Sequence, residues 1–246
     1  MSRLTDSFRN IFKIEELKAR ILFTIACLVA VRLGAHVTLP GVDFHALDKA
    51  ASSSNSLFGL YDLFVGGAFK NAAIFGLGIM PYISSSIIIQ LLGAVVPYFQ
   101  KLQKEGEDGR KKITQMTRFG TVLVSIGQAS GMAIYLQNQP EVVAAGISPF
   151  FFLISTVICL TAGCMLMMWI GEQITERGIG NGISLIIFIG IVARFPNAIL
   201  TEVTMVSSGQ HNIIVELVLW AFFVAIVAFC VLITQLSRRM GWLGCS

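Results

Sequence analysis

Six apolar runs, near residues 21–39, 74–96, 119–137, 149–170, 181–200 and 212–236, constrain this chain more than any other feature. Each is close to the roughly 20 residues that cross a bilayer as a helix. Charged residues make up 13% of the chain and hydrophobic residues 55%, whereas an ordinary soluble domain is about 25% charged. A mean hydropathy of +0.76 agrees. In hydrocarbon every backbone N–H and C=O needs a partner within the protein, and a helix satisfies them within one segment. The expected fold class is therefore all-α, a polytopic transmembrane helix bundle with six spans.

Orientation follows from the positions of Lys and Arg, because cytoplasmic loops are enriched in them. Arg3, Arg9, Lys13, Lys18 and Arg20 precede the first run; Lys101, Lys104, Arg110, Lys111, Lys112 and Arg118 lie between the second and third; Arg177 follows the fourth; Arg238 and Arg239 follow the sixth. That places fourteen of the 18 basic residues on one face, leaving Arg32, Lys49, Lys70 and Arg194. Both termini are expected in the cytoplasm. Residues 1–20 carry Phe8, Ile11, Phe12, Ile14 and Leu17 at helical spacing between charges, the pattern of a helix lying on the membrane surface. That long flank, and the lack of a small-residue cleavage site after the first run, argue that the run is retained instead of removed as a signal.

The segment Gly76–Leu92 combines Pro81, Ser84, Ser85, Ser86 and Gln90 with an apolar run. A helix facing lipid on every side gains nothing from a lost backbone hydrogen bond or from polar groups in hydrocarbon, so this helix is expected to line protein or a cavity. Ile79 and Ile83 sit four apart on one face, about 6 Å along the axis. Ile183 and Ile187 repeat the spacing after a glycine-rich turn. The two pairs suggest an apolar constriction, although isoleucines four apart also occur in most buried helices. Residues 57–69 are too short to span and carry Asp62, which suits a short helix inserted part-way and leading into the second span; a surface loop helix is the alternative.

Other chemistries find little support. Arg177-Gly-Ile-Gly-Asn-Gly182 lacks the spacing and the preceding strand of a phosphate-binding loop. Its glycines are expected to let the chain reverse tightly, with Glu172, Thr175, Glu176 and Asn181 available as caps and Gly178 and Gly182 allowing close helix approach. His36, His45 and His211 fall at span ends or in loops, and carboxylates are almost absent from the spans, so the proton relay of a coupled transporter is missing. Neither a serine-protease elbow nor H-E-x-x-H occurs, so no catalytic residue, metal or cofactor is expected. Cys27, Cys159, Cys164 and Cys230 lie in apolar runs and Cys245 in the tail, which reads as reduced packing residues.

The segments Arg32-Leu-Gly, Leu39-Pro-Gly-Val-Asp43, Gly78-Ile-Met-Pro-Tyr-Ile-Ser84, Lys104-Glu-Gly-Glu-Asp-Gly-Arg-Lys-Lys112 and Gly171-Glu-Gln-Ile-Thr-Glu-Arg-Gly-Ile-Gly-Asn-Gly-Ile-Ser184 together resemble the bacterial SecY family, over residues 15 to 239. Members of that family form the protein-conducting channel of the plasma membrane from two inverted five-span halves. The resemblance implies that 21–200 is the first five-span repeat, with a plug at 57–70, a gate and pore helix at 74–96 and a cytoplasmic loop at 98–118. An external loop at 201–211, a sixth span at 212–236 and a tail at 237–246 would follow.

By the same resemblance Ile79, Ile83, Ile183 and Ile187 supply this half's share of a pore ring. The plug would comprise Leu57, Phe58, Tyr61, Asp62, Phe64, Gly66 and Gly67, with the glycine pair as its hinge, and Ser84, Ser85, Ile87 and Gln90 would line a lateral gate. Implied partners are SecE and SecG subunits, the SecA motor, the ribosome, signal sequences, unfolded polypeptide substrates and membrane lipid, with no direct nucleic-acid substrate. The family continues through a basic cytoplasmic loop and four more spans where this chain reads Arg238-Arg-Met-Gly-Trp-Leu-Gly-Cys-Ser246. The expectation is thus an amino-terminal half-channel that does not translocate alone, with a non-conducting interaction protein as the alternative.

Overall fold

The computed structural model describes residues 14–42, 65–68, 71–138, 142–143, 148–208 and 213–243, with side chains in the last stretch covering 217–236. Leu57, Phe58, Tyr61, Asp62, Phe64 and Cys245 lie outside these residues. Among the described residues eight helices run in order: α1 Glu15–Gly34, α2 Met80–Val95, α3 Pro97–Lys104, α4 Glu107–Gln137, α5 Pro149–Arg177, α6 Gly182–Val192, α7 Phe195–Ser207 and α8 Ile213–Leu243. No β-strand forms among the described residues; two isolated bridges, Thr38 with Ala73 and Val42 with Val143, are the extended pairing present. The chain divides into two compact units, residues 1–194 and 195–246.

Among the described residues four helical stretches, Glu107–Gln137, Pro149–Arg177, Gly182–Ser207 and Leu217–Leu236, are long and apolar enough to cross a membrane, and a fifth follows if α2 and α3 count as one bent span. The six spans expected from hydropathy are not all reproduced among the described residues. Helix α1 is 20 residues long but carries Glu15, Glu16, Lys18, Arg20 and Arg32. Helix α2 is 16 residues and starts at Met80, not at residue 74. Residues ahead of it are turns, with Ala72 at φ 40° and Gly78 at φ 55°, conformations that an α-helix cannot contain.

Local chemistry sets the other boundaries. Pro97 forces the preceding Val96 into an extended conformation (φ −94°, ψ 121°), and α3 leaves α2 at 98°. The 98–118 segment expected as a loop is largely helical: α3 ends at Lys104, Gly106 turns the chain at φ 77°, and α4 starts at once with Glu107 and Asp108 in its first turn. Those carboxylates suit the positive end of a helix dipole. Helix α7 likewise carries regular structure through Ser207, into the expected external loop at 201–211.

Within the first unit, α4 packs along α2 on one side and α5 on the other, and α5 in turn packs against α6 and α1. The buried face of α4 carries a ladder of small residues, Thr117, Thr121, Ser125, Ala129 and Ala133, with the larger Met132 and Leu136 toward its end. Small side chains let helix backbones approach where no hydrophobic force distinguishes helix from lipid. Their hydroxyls are satisfied inside the helix, Thr117 donating to the Ile113 carbonyl at 2.9 Å and Thr121 to the Thr117 carbonyl at 2.7 Å. Glycines permit the tightest approaches. A side chain at Gly182 would collide with the Gly171 carbonyl, and one at Gly163 with the Ile74 carbonyl.

Candidate functional site

The glycine-rich turn between α5 and α6 places the second isoleucine pair. Asn181 accepts hydrogen bonds from the Ile183 and Ser184 amides at 3.1 and 3.3 Å, capping the start of α6. The Thr175 hydroxyl accepts from the Gly182 amide at 2.9 Å, and Thr24 of α1 accepts from the Ile179 amide at 3.2 Å. The turn is thus fixed to its own helix and to α1. Glu172, expected as a cap, instead receives a two-pronged ion pair from Arg118, with 3.0 Å from Nε and 2.7 Å from Nη2. This pair joins α4 to α5.

The first pair forms where turns give way to α2. Ile79 precedes the helix, and its carbonyl accepts from the Ile83 amide at 3.1 Å, which sets the two side chains one turn apart. Ile79 is buried in a cluster with Val31, Phe75, Met167, Ile170 and Ile186, and partly buried Ile83 and Ile183 pack against that cluster. Ile187 is partly buried. It lines a cavity of about 30 Å³ together with Ile79, Val65, Phe75, Met167 and Arg32. All four isoleucines therefore meet at one apolar cluster and its cavity. The sequence spacing did not single out Ile186, Phe75 or Met167, because burial there depends on which helix faces which.

The expected gate residues divide between two surroundings. Ser85 is 2% exposed and donates to the Thr117 carbonyl at 3.0 Å, so it packs α2 onto α4. Ser84 is partly exposed, whereas Ile87 and Gln90 are open, and Gln90 donates to the Ser86 hydroxyl at 3.1 Å. Ile87, Ile88 and Leu91 extend this uncovered apolar face. Of the expected plug, Gly66 and Gly67 are described. Both are buried at positive φ, 70° and 96°, and Arg32 donates from Nη1 to the Gly66 carbonyl at 3.0 Å. Among the described residues no three His, Cys, Asp or Glu side chains gather closely enough to hold a metal ion.

A profile of the SecY family matches residues 73–241, more than half of the chain. The chain belongs to the SecY family. It is 44% identical to the protein translocase subunit SecY of Escherichia coli strain K12 over 227 residues, which is 92% of this chain and 51% of that protein. The SecY subunit of Pseudomonas aeruginosa is 42% identical over 229 residues, 93% of this chain and 51% of its own length. The chain thus spans about half the length of these SecY relatives. Among solved structures, Sec61 in the canine ribosome-channel complex from the endoplasmic reticulum superposes with a TM-score of 0.51 at 17% identity, covering 72% of this chain and 36% of that one. A second, described as a protein conducting channel, gives a TM-score of 0.51 at 16% identity. At these identities the SecY-type helical fold is what the two structures share with this chain.

Proposed function

We propose that this chain supplies the amino-terminal half of the pore subunit of a protein translocation channel. Unfolded secretory polypeptides would cross the plasma membrane through it, and membrane segments would leave sideways into lipid. Its termini would face the cytoplasm, its work would be non-enzymatic, and its partners would be the remaining channel subunits, a driving motor or ribosome, and signal sequences. The observation carrying this reading is the convergence of Ile79, Ile83, Ile183 and Ile187 on one buried apolar cluster and its cavity. Branched aliphatic side chains dewet a narrow constriction and so block ions, yet yield to a passing chain because they form no specific bonds with it.

The open face of α2 supports the lateral exit. Ile87 and Gln90 would contact a departing segment, while Ser85 holds the helix to α4. The decisive experiment places these residues in a full-length SecY channel and records ion leak in planar bilayers. Ile83→Ser and Ile187→Ser, which put a hydroxyl into the constriction, should each raise resting conductance. Unchanged leak in both variants and in their combination removes the sealing role.

A further inference from the structure

We propose that Arg32 is a latch: its guanidinium holds the Gly66 carbonyl and thereby keeps the Val65–Ala68 turn over the space between Ile79 and Ile187. The inference rests on the sealing role proposed for those isoleucines and adds the residue that fastens the cover. Arg32 lies in the last turn of α1, partly buried, and reaches across 34 positions of sequence to make its 3.0 Å bond. A partly buried guanidinium is costly to leave without a hydrogen-bond acceptor, so its partner marks where it acts. Here the partner is a backbone carbonyl. The neighbouring carbonyls are already occupied by the chain's own amides, Gly67 by Asn71 at 3.2 Å and Ala68 by Ala73 at 2.9 Å.

The turn fits tightly at its other contacts. A side chain on Gly66 would meet the Gly190 Cα of α6 at 3.0 Å, and one on Gly67 would meet Arg194 Nη2 at 2.7 Å. Val65 packs over Gly78, where an added Cβ would touch its methyl groups at 3.3 Å. The same cavity is bordered by Arg32, Val65, Gly190, Ile79 and Ile187. Lifting the turn away from α6 therefore breaks the Arg32 bond, uncovers the cavity between the two isoleucines, and leaves a cation and a carbonyl without each other. Rotation about the two positive-φ glycines supplies the motion, since other residues resist that backbone region.

The test uses this chain in membranes, with its five native cysteines replaced and Val65→Cys as the sole thiol, labelled by a water-soluble maleimide. Bonds from charged donors are among the stronger hydrogen bonds, so Arg32→Met should speed labelling about tenfold. Arg32→Lys, whose ammonium can still donate to the Gly66 carbonyl, should stay close to the parent, and Arg32→Gln should fall between them. Should Arg32→Met fail to accumulate, the Lys and Gln variants carry the comparison. Labelling unchanged by Arg32→Met, or accelerated equally by Lys, Gln and Met, overturns the latch. The bilayer leak of Ile83→Ser tests the seal separately, so failure of that reading is distinguishable from failure of the latch.

Discussion

Replacing Gly182 with alanine is the sharpest test of how the ring helices are placed. The new Cβ would collide with the Gly171 carbonyl oxygen and lie 2.8 Å from Ile174 Cβ and 2.9 Å from the Gly171 carbonyl carbon. Two of these three obstacles are backbone, so no rotamer change relieves them, and α6 must move away from α5. Overpacking of this kind costs about 1–3 kcal/mol. For a chain of this size each kcal/mol moves the unfolding midpoint by about 2–4 °C, so a fall of roughly 2–12 °C is expected. The assay is thermal unfolding in detergent, followed by a thiol-reactive dye in a background that keeps the buried Cys164 as the sole thiol, since Cys230 is exposed and Cys27 and Cys159 are partly so. Gly127→Ala and Gly131→Ala serve as controls, because a Cβ at either position of α4 meets nothing within 4 Å. Removing a helix-interior glycine there should be neutral or stabilising by up to about 1 kcal/mol. If Gly182→Ala unfolds with the parent, or if the controls fall as far, the close approach of α5 and α6 is not what sets the position of Ile183 and Ile187.

Three further outcomes follow from the same structure. Thr24→Val and Thr175→Val remove the hydroxyls that accept from the Ile179 and Gly182 amides; each should cost about 1–3 kcal/mol in the same unfolding assay, since the amides lose their partners. A double-mutant cycle on Arg118→Ala and Glu172→Ala should give a favourable coupling of about 1 kcal/mol that shrinks in high salt, the upper end for exposed pairs, because Glu172 is only 15% exposed. Zero coupling would show that the pair is a bystander to α4–α5 packing. Single cysteines at Gln100 and Asn138 should label from opposite sides of the membrane, as the distribution of basic residues requires, and same-side labelling would refute the orientation of α4.

Much of the architecture was readable from the chain itself, for a definite physical reason: hydrocarbon admits few backbone solutions. A run of about 20 apolar residues in that medium must be helical, and helices α4, α5 and α8 occupy the corresponding runs. Capping is equally local. Asn181 reaches amides two and three residues ahead of it, so sequence alone identified it as a candidate. Glycine positions were legible too, since Gly182 fits where a backbone crosses within contact distance.

What the sequence could not decide was which face of each helix another helix covers. Ser84, Ser85 and Ser86 are adjacent and chemically identical, yet Ser85 alone is buried, because successive residues point about 100° apart and α4 covers one of those directions. Arg118 and Glu172 are 54 positions apart, and Arg32 and Gly66 are 34 apart. Nothing in local composition pairs them. Such contacts exist only once α1, α4, α5 and α6 have packed, when the cost of a charge in an apolar setting makes each side chain take whatever partner the fold brings within reach.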